Sequence, residues 1–209
     1  MGEMTDEATR HNQAVYDRIA SAYARRQAGR RPSFPDLMDA FAARLPAQAL
    51  VADLGCGPGH DGARLVRAGH RVVGVDRSTA MLAIAAQPLA GQVVRGDLRC
   101  LPLATVSLDG IWCCASLLHV PQDQTSTVLA EMRRVLRPGG HLALVTALGD
   151  GTALEPVPFA PDIQRWYFYR QAHEVVEQLA VAGLDAVSVS EESTTRHWLK
   201  VLVSAGSRA

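Results

Sequence analysis

The segment Val51-Ala52-Asp53-Leu54-Gly55-Cys56-Gly57-Pro58-Gly59, followed by Val72-Val73-Gly74-Val75-Asp76, constrains this chain more than any other. An apolar run breaks at a glycine turn, a helical stretch follows, and a second apolar run ends on an acid. Glycine lets the backbone turn through positive φ and lets a ligand approach main chain that a Cβ would block. The acid comes roughly 20 residues after the turn, where a carboxylate at a strand tip can accept both hydroxyls of a ribose. The pattern predicts a strand–turn–helix–strand unit that holds an adenosine-bearing cofactor. The glycine order is G-x-G-x-G with His60 next, unlike the G-x-G-x-x-G of dinucleotide sites, and no phosphate P-loop sequence occurs. Asp53, just before the turn, would repel a pyrophosphate and attract an ammonium group. A ligand with ribose hydroxyls and a cationic amino-acid end fits.

The alternation continues along the chain. Glu7 to Gln27 reads as a helix with Val15, Ile19 and Ala22/Tyr23 on one face, ended by Gly29 and Pro32. Ser33 to Leu45 reads as a second helix, with Ser33 as N-cap and a stripe of Phe34, Leu37, Met38, Phe41 and Leu45. Strands are expected at Leu50–Leu54, 71–75, 92–95, 108–113 and 141–146, and helices at 59–68, 78–86 (Ser78 as N-cap) and 122–136, the last stopped by Gly139-Gly140. A helix at 171–182 precedes strands 185–192 and 196–204, whose short connection Ser193-Thr194-Thr195 implies an antiparallel hairpin. The expectation is an α/β chain: a Rossmann-like, seven-stranded, mostly parallel sheet with an antiparallel terminal strand, helices on both faces and an N-terminal helical cap. It forms a single domain over residues 1–209, with a cap at 1–46, a cofactor-binding core at 47–146, and an acceptor region and C-terminal hairpin at 147–209.

Composition narrows the partners. Lys+Arg and Asp+Glu are each 21, so charge offers no argument for nucleic acid or a membrane surface. The four cysteines, Cys56, Cys100, Cys113 and Cys114, show no C-x-x-C spacing, so neither a metal site nor a disulfide framework is indicated. Thiols at buried positions suit a reducing compartment. The N-terminus lacks a basic segment followed by an apolar run, and no apolar stretch is long enough for a bilayer. The expected location is cytoplasmic.

The glycine block resembles motif I of the class I S-adenosylmethionine-dependent methyltransferases, of the small-molecule, type 11/25-like kind. Val75-Asp76 resembles motif II, Val94-Arg95-Gly96-Asp97-Leu98 motif III, and the run Asp109 to Val120 motif IV. Arg134-Val135-Leu136-Arg137-Pro138-Gly139-Gly140 resembles the helix-to-strand turn that follows. The resemblance implies S-adenosyl-L-methionine as methyl donor, S-adenosyl-L-homocysteine as product, and direct in-line transfer to an oxygen or nitrogen of a small-molecule acceptor, by a monomer or homodimer. Gly55, Gly57 and Gly59 would frame the cofactor, with Asp53 beside them and Asp76 on the ribose. Arg77 and Met81 would line the adenine edge, although Met81 equally suits a core with Leu82, Ile84 and Ala85. Asp97 could accept from the adenine amino group while Leu98 packs on the ring, or Asp97 could simply form a turn. Backbone carbonyls at Cys114 and Ala115 would hold the ammonium group.

Three further groups complete the expected site. Tyr16 and Tyr23 share one helix face and resemble the Y-x-x-I-A-x-x-Y cap helix of small-molecule methyltransferases; ordinary core aromatics are the alternative. His119 follows the fourth strand near the expected methyl position, where a neutral imidazole could act as general base, or merely cap a turn. His60, His70, His141 and His173 read as structural. Residues 149–170 hold Arg165, Tyr167 and Tyr169, suited to a flat or anionic acceptor; a hairpin packed on the outside of the sheet is the alternative. Two other functions stay open: methylation of a macromolecule such as tRNA or protein, and a non-methyltransferase use of the same cofactor. The first would lack its usual N/D-P-P-Y/F motif and Pro-Cys pair.

Overall fold

The computed structural model describes residues 2–28 and 34–206, with side chains from residue 6 onward. The expected Ser33 cap and the Gly29 and Pro32 stops lie outside the described residues. Strands β1 (Leu50–Leu54), β2 (Arg71–Asp76), β3 (Val93–Arg95), β4 (Leu108–Cys114) and β5 (Leu136–Ala147) are joined by helices α3 (His60–Arg67), α4 (Thr79–Ala85) and α5 (Thr125–Val135). A hairpin, β6 (Thr152–Val157) and β7 (Ala160–Phe168), precedes α6 (Ala172–Val181), β8 (Leu184–Ser193) and β9 (His197–Ala205). The seven-stranded sheet runs β3-β2-β1-β4-β5-β9-β8, with β6–β7 a separate ribbon. Strands β1 to β5 pair in parallel, and β9 lies antiparallel between β5 and β8. A short connection between β8 and β9 permits only an antiparallel partner.

Period-two alternation sorts the side chains onto two faces. Ala52 and Leu54 of β1, Ile111 and Cys113 of β4, and Leu142 and Leu144 of β5 face α5 and α6, meeting Val128, Leu129, Met132, Val175 and Leu179. Their neighbours Val51, Trp112, Ala143 and Val145 face the other way, against Leu65 of α3, Leu82 and Ala85 of α4, and helix α2 (Pro35–Ala42) with Leu37, Met38 and Phe41. Burial on both faces explains why the central strands read as nearly continuous apolar runs.

Two expected boundaries move. Helix α2 starts at Pro35, which suits a first helical position, and ends at Ala42 before Pro46 rather than running to Leu45. The last helix of the parallel core stops at Val135, not at Gly139-Gly140. Pro138 disfavours helical geometry at Arg137, and Leu136 is already extended and paired with Leu108. The two glycines therefore lie inside β5, at a register shift opposite Leu108–Gly110.

Helix α1 (Gly2–Gln27) does not stack on the sheet. Its Val15 and Ile19 pack with Val157, Phe159 and Ile163 of the β6–β7 ribbon. Thus residues 149–170 form the hairpin weighed as an alternative, but on α1 instead of the outer sheet. Asn12 of α1 joins them like a strand neighbour: its amide nitrogen donates to the Trp166 carbonyl at 2.9 Å, and its oxygen accepts from the Trp166 N–H at 2.7 Å. On the other side, Asp17 accepts from the Ser78 hydroxyl at 2.6 Å and the Ala80 N–H at 3.1 Å, fastening α1 to the start of α4.

Asn12→Ala leaves both backbone groups of Trp166 without these partners. The expected loss is about 2 kcal/mol, a fall of about 6 °C in the melting midpoint for a chain of this size. Hydrogen exchange should quicken in β6 and β7. A variant that melts with the wild type and exchanges alike would show that apolar packing alone holds the ribbon.

Candidate active site

In an open parallel sheet, ligands bind past the carboxyl ends of the strands, where the strand order reverses. That point lies here between β1 and β4, the two strands from which connections run outward in opposite directions. A cavity of about 230 Å³ occupies it, formed by the ends of β1 to β4 and roofed by α1. Of the proposed cofactor residues, all but Gly59 line this cavity, as does His119. Gly59 instead starts α3 as its left-handed cap residue and packs toward Ala85 and Leu89.

The turn is built by β2. The Val75 carbonyl accepts from the Gly55 N–H at 2.7 Å and the Cys56 N–H at 3.1 Å. Asp76 accepts from the Gly57 N–H at 2.9 Å and the Ser78 N–H at 2.8 Å. Gly55 has φ +70°, and a Cβ there would lie 2.0 Å from Ser116 Oγ. Gly57 has φ +51° and no atom within 4 Å of its missing Cβ, so its bare backbone faces open cavity. Ala115, after β4, also holds a positive φ of 52°, a strained conformation for a residue with a Cβ, and one that recurs at functional sites.

Three carboxylates crowd one end. Asp53 is buried and accepts from the Gly62 N–H at 3.0 Å; Asp61 accepts from the Trp112 indole at 2.9 Å. Burial lifts Asp53 well above the carboxylate range, and the charges of Asp61 and Asp76 add to it. Burial also raises Asp61 and Asp76. Among the described residues no salt bridge neutralises these three acids, so this end favours a cationic ligand. Asp97 differs. Despite burial, Arg99 and Arg77 hold it below the usual range, with Arg99 Nη2 at 2.8 Å. Its carboxylate is therefore already engaged on the cavity wall. Leu98 and the buried Met81 lie beside it on the lining.

The opposite end is aromatic and basic. His119 is buried, and both ring nitrogens are occupied: Nδ1 donates to the Trp166 carbonyl at 2.9 Å, and Nε2 accepts from the Tyr16 hydroxyl at 2.6 Å. Arg165 donates in turn to the Tyr16 hydroxyl at 2.7 Å. Burial pushes His119 down to about 3, helped by the positive charges of Arg165, Arg196 and Arg170 and opposed by the Trp166 bond. His119 is thus a neutral ring locked in place, in contrast to the expected free base. Tyr23 meets the Tyr16 ring edge-on at 6.1 Å. Arg165, Tyr167 and Tyr169 do not line the cavity; they stand behind Tyr16 and His119, with Tyr167 5.0 Å from the His119 ring.

Several lining residues escaped the sequence reading. His60, taken as structural, and Asp61 open α3 directly after the glycine turn, and that adjacency was their signal. Asn12 lies one helical turn before Tyr16 on the same face. Arg99, Arg196 and Asp17 carried no local signal.

Residues 51–140 match the methyltransferase domain family. The chain belongs to the class I S-adenosylmethionine-dependent methyltransferases. It is 36% identical over 140 residues to a malonyl-[acyl-carrier protein] O-methyltransferase of Enterobacter lignolyticus (strain SCF1), covering 66% of this chain and 53% of that one. It is 44% identical over 108 residues to a trans-aconitate 2-methyltransferase of Azoarcus sp. (strain BH72), covering 49% of this chain and 41% of the relative. The chain spans about half the length of the curated relatives it matches. Among solved structures, 1,6-didemethyltoxoflavin-N1-methyltransferase of Burkholderia thailandensis, with bound 1,6-didemethyltoxoflavin and S-adenosylhomocysteine, superposes with a TM-score of 0.70 at 24% identity, over 93% of this chain and 88% of that one; this likeness concerns the fold. The cofactor of the family fits the residues present: Gly57 leaves the space a Cβ would fill, and the acidic end suits a ligand that carries an ammonium and a sulfonium. Among the described residues no helix is long and apolar enough to cross a membrane, and no group of His, Cys, Asp or Glu could hold a metal ion.

The raised acids make a pH prediction. An Asp that holds its proton more tightly when folded contributes stability that is full below the ordinary carboxylate range and is lost as pH rises through its raised folded value. Asp53→Asn should therefore melt above the wild type at pH 8, by about 3 °C, and the gap should close toward pH 5. The same variant should bind S-adenosylmethionine about tenfold more weakly. Equal melting at pH 8 would mean that Asp53 is neutralised by a group other than the cofactor.

Proposed function

We propose that this chain transfers the methyl group of S-adenosylmethionine to an oxygen or nitrogen of a small-molecule acceptor by direct in-line displacement. The observation that carries this reading is the roof. Helix α1 and the β6–β7 ribbon close the β4 end of the cavity through Asn12, Tyr16 and Trp166. An enclosed aromatic end suits a small acceptor, and it leaves no open groove for a nucleic acid. The names of the relatives, which act on malonyl-[acyl-carrier protein], trans-aconitate and didemethyltoxoflavin, support a small organic acceptor.

The bound sulfonium supplies an already activated methyl group. The protein's work is then alignment and exclusion of water. Asp76 takes the ribose hydroxyls in this reading, and Arg77, Met81, Asp97 and Leu98 flank the adenine. Gly55, Gly57, Asp53 and the carbonyls of Cys114 and Ala115 surround the amino-acid end. Tyr16 and Tyr23 cover the site from residues 1–46, and 147–209 supplies the acceptor side around Arg165, Tyr167 and Tyr169. His119 acts as a positioning residue: with both nitrogens occupied, it holds Tyr16 in place.

Calorimetry with S-adenosylmethionine, S-adenosylhomocysteine and NAD tests the reading. The first two should bind in the micromolar range and NAD should not. Asp76→Ala should cost about 2 kcal/mol, roughly 30-fold in affinity. NAD bound and S-adenosylmethionine ignored would sink it.

A further inference from the structure

Three arginines surround the aromatic end of the cavity, and they are not equivalent. Arg170 is fully occupied, with bonds to Thr125 Oγ1 at 3.0 Å and to the carbonyls of Phe168 and Val120 at 2.7 Å. Arg196 is paired with Glu155 at 2.6 Å and lies 4.2 Å over the Tyr167 ring. Arg165 forms no salt bridge among the described residues. It makes one hydrogen bond, from Nη1 to the Tyr16 hydroxyl. Its Nε is buried without a partner. Its guanidinium carbon lies 5.6 Å from the Tyr16 ring centre and 5.2 Å from that of Tyr167.

A buried guanidinium is expensive to leave without an anion. Here the bond to Tyr16 takes one Nη and leaves the Nε–Nη2 edge unspent. That edge is a planar fork that matches two oxygens of a carboxylate. Two aromatic walls hold it in orientation. The second observation concerns protons. A hydroxyl acceptor must lose one, and the neighbouring imidazole has its acceptor nitrogen covered by Tyr16 and its other nitrogen tied to Trp166. A carboxylate has no proton to lose near neutral pH.

We propose that the acceptor is a carboxylic acid, seated as its carboxylate on the Nε–Nη2 edge of Arg165 between Tyr16 and Tyr167, and methylated on oxygen. The inference rests on the methyl-transfer reading above and names its substrate class. A carboxylate oxygen lone pair forms the new C–O bond to the methyl carbon while the C–S bond breaks and its electron pair stays on sulfur. The products are a neutral methyl ester and S-adenosylhomocysteine, and no proton moves. Loss of the negative charge removes the ester's hold on Arg165, which favours product release.

Two measurements test this. Benzoate and benzamide serve as probes of the complex with S-adenosylhomocysteine, by calorimetry. Benzoate should bind the wild type at least tenfold more tightly than benzamide, and Arg165→Gln should lose about 30-fold in benzoate affinity. Arg165→Lys, which keeps charge but not the fork, should fall between them. Both variants should bind S-adenosylhomocysteine within about threefold of the wild type; if Arg165→Gln does not, Arg165→Lys carries the comparison. Benzoate bound no better than benzamide, or undiminished in both variants, overturns the proposal. In the second measurement, methyl-labelled S-adenosylmethionine is incubated with the protein and the small-molecule fraction of a bacterial extract. Label in a carboxylate ester is released by alkali as volatile methanol. Transferred label that resists alkali overturns the carboxylate assignment and leaves methyl transfer standing. Cofactor bound with no label transferred to any component counts against methyl transfer itself, and the benzoate comparison then decides the anion site.

Discussion

The tip of β2 organises the site. Through the Val75 carbonyl and the Asp76 carboxylate it takes the N–H groups of Gly55, Cys56 and Gly57, three successive residues of the turn. This arrangement requires β1 and β2 to be parallel and in register with Leu54 opposite Val75, because only then does the turn leave β1 level with the end of its neighbour. Positive φ at Gly55 and Gly57 follows from meeting those acceptors within so few residues. The cavity, the start of α3 and the placing of Asp76 all depend on these bonds.

Charge divides the cavity. Asp53, Asp61 and Asp76 gather at one end, buried and without a cation among the described side chains. Arg165, Arg170 and Arg196 gather beyond the other, with Glu155 the one carboxylate salt-bridged to any of the three. Both clusters sit where water screens poorly, so each acts strongly on what binds. A donor with cationic groups and an acceptor with an anionic group would each find its complement, and the charge would draw them toward one another across the β4 terminus. His119 shows the same field: it is neutral because it is buried and faces arginines.

The roof has a different basis from the sheet. The sheet rests on apolar alternation and close packing, with fully buried side chains on both faces of β4 and β5. The roof rests on a few polar contacts: Asn12 on Trp166, Tyr16 between His119 and Arg165, and Asp17 on the start of α4. Such contacts are individually modest and readily exchanged, so the roof is the part of the fold best suited to yield when a ligand enters.

The parallel core was legible in the chain because its determinants are local. Glycine turns, caps such as Ser78 and strand periodicity act within a few residues, and the acid of β2 follows its turn at short range. The cavity lining from Asp53 to Ala115 could therefore be named, apart from His60, Asp61 and a few neighbours. The aromatic end could not be described in this way. Its contacts join residues 103 apart for Tyr16 and His119, 149 apart for Tyr16 and Arg165, and 154 apart for Asn12 and Trp166. No local pattern encodes them. His119 looks like a free base in the sequence; only the packing of α1 and the β6–β7 ribbon covers its nitrogens, and the same packing leaves one edge of Arg165 unpaired. Sequence determined the turn and the acid that define the cofactor end, through backbone geometry. Tertiary structure decided the protonation and hydrogen bonding of the acceptor end, because burial and charge from distant segments set both.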